Sequence, residues 1–273
     1  MRLASGQFTS VPGDIEANVR SMQALVRTAA GRGARLVAFC ELAATGYDLE
    51  LIASRPDLWL AEDDPRLEPL REACRTTSTA ALVGCAARSA GPRPTITALV
   101  IGPDGELLAR YDKTHLYGEE SDVFTAGTED GRFVLDGVRF AVAICYDNRF
   151  PEVAERAKAD GCHVYVASSV LEADNDSFQQ VYPARAADNA LPVLLANAVG
   201  PCSVGDCRGG SAAWAPNGAL LTTAGPDAPG LAVAEVVTVQ GLPARAGDVA
   251  DVGLVASEGL TAPGSCGTNR AAG

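Results

Sequence analysis

Val138-Arg139-Phe140-Ala141-Val142-Ala143-Ile144-Cys145-Tyr146-Asp147-Asn148-Arg149-Phe150-Pro151-Glu152 carries the reading of the fold. Val138 to Ile144 is nearly all apolar, with no alternation of polar residues, as in a strand covered on both faces. Asp136-Gly137 before it is a hairpin turn that joins it to Arg132–Leu135. After it, Phe150-Pro151-Glu152 starts a helix, with proline near the first turn where its missing N–H is harmless. That helix runs to about Ala159, Asp160-Gly161 ends it, and Cys162 to Ala167 reads as the next strand. Cys145 stands at the junction, just past a buried strand.

The same grammar extends in both directions. Leu3 to Phe8 reads as a first strand, and Ser10 to Asp14 as a turn. Ile15, Val19, Met22, Val26 and Ala29 recur at helical spacing, so a helix is expected from about Ile15 to Ala30, closed by Gly31-Arg32-Gly33. Leu36 to Cys40 is a buried strand that ends at Glu41. A helix over Pro65–Thr77 and a strand over Ala80–Ala86 follow. Ile96–Ile101 and Glu106–Tyr111 flank the turn Gly102-Pro103-Asp104-Gly105, and the second of these strands leads into Asp112-Lys113. Phe178 to Asn189 reads as a helix that Pro183 must begin or kink. Pro192–Ala198, Ser211–Ala215, Leu220–Thr223 and Leu231–Val236 continue the sheet pattern. No linker interrupts the chain, so residues 1–273 are expected to form one α/β domain. The stretch 244–273 lacks periodicity and is expected to be a C-terminal arm on a partner subunit or a loose tail.

Bulk properties exclude several functions. The formal net charge of −12 argues against a nucleic-acid backbone or an anionic membrane as partner. The start, Met1 to Gln7, does not resemble a secretory signal, and no apolar run approaches a membrane span, so a cytoplasmic protein is expected. Eight cysteines are scattered without a CxxC pair, and there are only two histidines, His115 and His163. A three-histidine metal site cannot be built, and neither metal nor cofactor is expected. A cysteine nucleophile would need a base other than histidine. His163, inside an apolar run, is read as a satisfied core residue, and His115 as a structural hydrogen-bonder.

Three polar residues each close an apolar, strand-like run: Glu41, Lys113 and Cys145. Open α/β sheets place ligands at the carboxyl ends of their strands. Hydrolysis of an amide through a thioester needs a base for the thiol proton and a positive or donor group at the oxyanion. A buried glutamate and a lysine supply both.

These residues also carry a resemblance. Phe39-Cys40-Glu41-Leu42-Ala43-Ala44-Thr45-Gly46-Tyr47, Tyr111-Asp112-Lys113-Thr114-His115-Leu116-Tyr117-Gly118 and Ile144 to Glu152 resemble, in order, three motifs of the nitrilase, or carbon–nitrogen hydrolase, superfamily. The resemblance spans nearly the whole chain. It implies a four-layer αββα sandwich, paired into a dimer that extends the sandwich. It also implies Glu41 as general base, Lys113 as support for the intermediate and Cys145 as nucleophile. A second glutamate of the family precedes a Phe-x-x-Gly segment, here Phe124-Thr125-Ala126-Gly127. The assignment falls on Glu120, with Glu119 as the alternative. Arg185 to Asn189 resembles a family helix, with Asp188 in place of the usual glutamate. Ser211 lacks a Gly-x-Ser-x-Gly setting and is not read as a nucleophile.

Cys145-Tyr146-Asp147 resembles the amidase branches. The expectation is a small aliphatic primary amide, ω-amino amides included, hydrolysed to a carboxylic acid and ammonia. The backbone N–H of Tyr146 would face the oxyanion. Tyr47, Tyr117, Asn148, Glu172 and Asp174 are the substrate-binding candidates. The last two lie in the acidic stretch Ser169–Phe178, which reads equally as a solvated approach to a helix. An N-carbamoyl amine hydrolase is the alternative enzyme, and a non-catalytic binding protein on the same fold is the alternative from another class.

Overall fold

Strands with no polar face need cover on both sides, and the architecture supplies it. The structure is a computed structural model that describes residues 1–238 and 252–256. In chain order, β1 (Arg2–Gln7), α1 (Ile15–Gly31), β2 (Ala34–Ala38), α2 (Leu49–Ser54), α3 (Glu68–Thr77), β3 (Ala80–Ala87), β4 (Thr95–Ile101) and β5 (Leu107–Asp112) come first. Then follow α4 (Glu120–Val123), β6 (Gly131–Leu135), β7 (Val138–Ile144), α5 (Pro151–Ala159), β8 (Val164–Ser169), α6 (Ser177–Asn189) and β9 (Val193–Asn197). The hairpin β10 (Val199–Cys202) and β11 (Gly205–Arg208) precedes β12 (Ala212–Trp214), β13 (Leu220–Thr223), β14 (Gly230–Thr238) and β15 (Val252–Ala256).

One sheet has the order β15-β14-β1-β2-β3-β4-β5 and the other β13-β12-β9-β8-β7-β6. Each holds three parallel strands at its centre, β1-β2-β3 and β7-β8-β9, flanked by antiparallel neighbours. The sheets stack through β1 on β9 and β5 on β6. Helix α1, with α3 packed beside it, covers the first sheet, and α5 and α6 cover the second. The result is an αββα sandwich. Ser168 Oγ donates across the two sheets to the Phe39 carbonyl at 2.9 Å.

Strand β7 shows why the runs read as unbroken. Phe140, Val142 and Ile144 enter the core between the sheets, while Ala141 and Ala143 face the helices. On β8, Val164 and Val166 point to the first layer and Tyr165 and Ala167 to the second. Side chains alternate along a strand, so two apolar layers produce a continuous apolar run.

Some boundaries differ from the sequence reading. Strand β8 starts at Val164, because Cys162 N–H closes α5 on the Ala157 carbonyl. His163 is therefore half-buried at the strand's mouth rather than a core residue. Its Nδ1 accepts from Arg139 N–H at 2.9 Å. Pro183 lies inside α6, which begins at Ser177. The short α2 and α4, and the β10–β11 hairpin, offer too few residues for a periodic signal. Of the expected 244–273 arm, only Val252–Ala256 falls within the described residues, and it pairs antiparallel with β14; the rest lies outside them.

Candidate active site

Glu41, Lys113 and Cys145 leave the carboxyl ends of three neighbouring chain segments and meet. Glu41 sits in a turn after β2 that is pressed against β3. A Cβ on Gly84 would come within 2.2 Å of the Cys40 carbonyl oxygen and 2.9 Å of Glu41 Cα, so only glycine permits this approach. Lys113 follows β5, its carbonyl receiving Gly127 N–H at 2.8 Å. Cys145 follows β7 directly with φ +45°, in the left-handed region, and opens a 3₁₀ turn over Cys145–Arg149. Such a conformation costs about 1–3 kcal/mol for a non-glycine residue, and it breaks the strand sharply at the sulfur.

That turn is held from beneath. Asp147, fully buried, accepts from Ile144 N–H at 2.9 Å and Tyr111 O–H at 2.7 Å through one oxygen. Its other oxygen takes Thr114 O–H at 3.0 Å and His115 N–H at 2.9 Å, with His115 Nδ1 also 2.9 Å away. His115 stacks on Phe150, ring centroids 3.8 Å apart. Both His115 and Thr114 adjoin Lys113, so Asp147 ties the lysine's loop to the cysteine's turn. Arg185 of α6 donates through Nε to the Asn148 carbonyl at 2.8 Å.

Lys113 is fully buried, and its Nζ donates to Glu41 Oε1 at 2.7 Å and to Glu120 Oε1 and Oε2 at 2.8 and 2.7 Å. Glu120 is completed by Tyr47 O–H and Tyr117 N–H, each at 2.7 Å. Glu119 is exposed, so Glu120 is the glutamate that meets the lysine. Two carboxylates facing one ammonium leave an excess negative charge in a dry site. Burial, with the charge of Glu120 behind it, pushes Glu41 up to about 7 against the opposing pull of Lys113. Burial alone would lower Lys113, but Glu41, Cys145 and Glu120 together raise it above its ordinary value. The Cys145 thiol is driven well above its usual range, first by burial and then by Glu41. It is thus a thiol at rest, near enough to Glu41 to favour the carboxylate form, and Glu41 Oε2 has no hydrogen-bond partner.

Above Cys145 opens a cavity of about 360 Å³, lined among others by Tyr47, Tyr117, Glu120, Tyr146, Leu171 and Glu172. This is the size of a small-molecule site. Asn148 is not on its wall: the side chain donates to the Cys145 carbonyl at 2.8 Å and braces the turn. Asp174 is exposed and apart from the lining. Sequence reasoning missed Arg149 and Val204, which do line it. Ser211 is fully buried, its Oγ accepting from Asn197 N–H at 3.0 Å, away from the cavity wall. Among the described residues no cluster of three or more His, Cys, Asp or Glu could hold a metal ion. Nor is any helix there long and apolar enough to cross a membrane.

The family profile described as carbon-nitrogen hydrolase matches residues 2–243. The chain belongs to the carbon–nitrogen hydrolase family. Within that family it is 30% identical over 230 residues to the "Hydrolase in pqqF 5'region" of Pseudomonas protegens, covering 83% of this chain and 80% of that protein. It is 30% identical over 190 residues to the 2-oxoglutaramate amidase of Bacillus subtilis, covering 68% and 71%. An amidase from Nesterenkonia sp. AN1, solved in complex with butyramide as a cysteine-to-alanine mutant, superposes with a TM-score of 0.78 at 29% identity, over 85% of this chain and 89% of that one. With its Glu41, Lys113 and Cys145 constellation, this carbon–nitrogen hydrolase is an enzyme of the amidase-like branch.

Proposed function

We propose that the protein hydrolyses a small aliphatic primary amide, ω-amino amides included, to a carboxylic acid and ammonia. The observation that carries this is Cys145 at the floor of a small cavity, its thiol beside a Glu41 carboxyl poised near neutrality. Glu41 takes the thiol proton as Sγ attacks the amide carbon. The oxyanion forms near the Tyr146 N–H, which follows the sharp bend at Cys145, and within the field of Lys113. Lys113 acts as a fixed charge, since its donors already engage Glu41 and Glu120. Glu41 hands the proton to the departing nitrogen, ammonia leaves, and a thioester remains. Glu41 then deprotonates a water that attacks the thioester, and the acid departs as Cys145 recovers its proton. Glu120, pinned by Tyr47 and Tyr117, positions Lys113.

The rim separates substrates by charge. Glu172 suits an ammonium at the far end of an ω-amino amide. Arg149, paired with Asp176 at 2.7 Å, favours a second reading, an amide whose far end is a carboxylate. The test is a panel of butyramide, an ω-amino amide, the monoamide of a dicarboxylic acid and an N-carbamoyl amine. Ammonia without carbon dioxide supports an amidase, carbon dioxide release supports the carbamoyl reading, and no turnover with unprotected Cys145 alkylation supports a non-catalytic protein. A cytoplasmic address and a homodimer belong to the same proposal.

A further inference from the structure

Outside the catalytic cluster, two thiols among the described residues are already in contact. Cys202 on β10 and Cys207 on β11 place their Sγ atoms 2.8 Å apart. They are not opposite each other: Cys202 faces Gly205 and Cys207 faces Gly200, so the two thiols form a diagonal pair on one face of the hairpin. Cys202 is half-buried and open to a reagent, whereas Cys207 is buried. This is an attacking thiol with a resolving thiol behind it.

The hairpin that carries them is part of the cavity. Its tip residue Val204 lines the wall. Ser203 donates through N–H and Oγ to the Tyr47 carbonyl, and Tyr47 O–H in turn holds Glu120. On the other side, Ala173 N–H donates to the Asp206 carbonyl and Arg208 N–H to the Leu171 carbonyl, while Glu172 bridges to Cys207. The hairpin therefore ties together two opposite walls, the Tyr47 side and the Leu171–Glu172 side. With the two Sγ atoms already 2.8 Å apart, the bond needs only a small further approach of the strands, and the covalent link stiffens the tip.

We propose that Cys202 and Cys207 form a reversible disulfide that clamps the β10–β11 hairpin and narrows the cavity against longer amides. The substrate part rests on the amidase reading above. The oxidant is a small-molecule disulfide such as oxidised glutathione. The Cys202 thiolate attacks one of its sulfurs, forming a mixed disulfide and releasing one glutathione thiolate. Cys207, a buried thiol held above its ordinary value by Cys202 and by burial, then attacks the Cys202 sulfur as its proton passes to the departing second glutathione thiolate. Two protein thiols lose two protons and two electrons, and one glutathione disulfide becomes two thiols. The hydrogen bond from Cys207, set against burial, lowers the Cys202 thiol below its ordinary value, which makes Cys202 the attacking member of the pair. Cys40, near the pair, is buried and held up to about 12, which keeps it out of the exchange. The closed loop is short, so the chain-entropy contribution of the bond lies at the low end for a disulfide, and its main effect is local rigidity.

Mass mapping tests the bond without relying on activity. The Cys145→Ala variant, treated with oxidised glutathione, alkylated and digested, should show a link between residues 202 and 207 that has lost two hydrogens and is reversed by dithiothreitol. Both thiols remaining alkylatable, or a glutathione adduct that stops at Cys202, overturns the proposal even if the chain is an amidase. In wild type, oxidation should raise KM for hexanamide on the order of fivefold or more, with acetamide and kcat little changed. The C202S/C207S double variant should not respond. Equal loss in that variant assigns the response to Cys145 and overturns the clamp, as does a mapped bond with unchanged KM. Absence of any amide turnover would sink the amidase reading while the mapping still decides the bond.

Discussion

Glu41 has to be a base at one step and an acid at the next, and its surroundings hold it between the two. Raised to about 7 by burial, it is ionised only above that range. Loss of the carboxylate removes the acceptor for the Cys145 proton, so kcat/KM is expected to rise with pH through about 7 and fall on the acid side. A profile flat from pH 5 to 8 would count against Glu41 as the base. Glu41→Gln keeps the shape but cannot accept a proton. It should fold and lose about 10² to 10⁴-fold in kcat, the range of general-base catalysis, with both steps affected. Cys145→Ala should fold and show no turnover, and intact-protein mass spectrometry of wild type with an amide should place an acyl adduct on Cys145. Lys113 is a different case. Lys113→Ala leaves two buried carboxylates without their cation, which costs about 3–5 kcal/mol for a broken buried pair. A thermal melt should therefore drop along with activity, whereas Glu41→Gln should melt near wild type.

The elements that carry these residues are joined by close approaches and by one buried carboxylate. Gly84→Ala inserts a methyl into the backbone of the Glu41 turn, and overpacking of that kind costs about 1–3 kcal/mol. The expected result is a lower melting temperature and reduced kcat, while Gly31→Ala, with nothing near its Cβ position, should be silent in activity. Asp147→Asn replaces an acceptor of Ile144, Tyr111, Thr114 and His115 with a group that must donate from one side. It should loosen the turn at Cys145, lowering kcat more than it changes KM, and steady-state kinetics on a single amide checks this. Glu41 and Cys145 were legible because each follows a buried, apolar strand, whereas Lys113 follows the half-exposed strand β5, with Arg110 and Asp112 in it, and stood out through its motif. Arg149 and Val204 were not, because a 3₁₀ turn and a hairpin tip have no periodicity to read. Asn148 looked like a pocket residue for the same reason: its place in sequence beside Cys145 does not reveal that the turn rotates it beneath the chain.

At the scale of the molecule, the apolar layers were visible in β7, β8 and β9 because each strand feeds two cores at once, between the sheets and under the helices. Assembly leaves no such mark within one chain, so the homodimer is a proposal to be measured. Each chain of 28.1 kDa carries a net charge of −12. Two copies brought together repel over distances comparable to the screening length, about 10 Å at 0.1 M salt and 3 Å at 1 M. A dimer held by apolar packing and hydrogen bonds should therefore tighten as salt rises, while one held by cross-chain ion pairs should loosen. Sedimentation equilibrium at low and high ionic strength is expected to give twice the chain mass in both, with the smaller dissociation constant at high salt. A species of 28.1 kDa throughout would end the dimer proposal. Weakening with salt would keep the dimer but move its cohesion from apolar surface to paired charges.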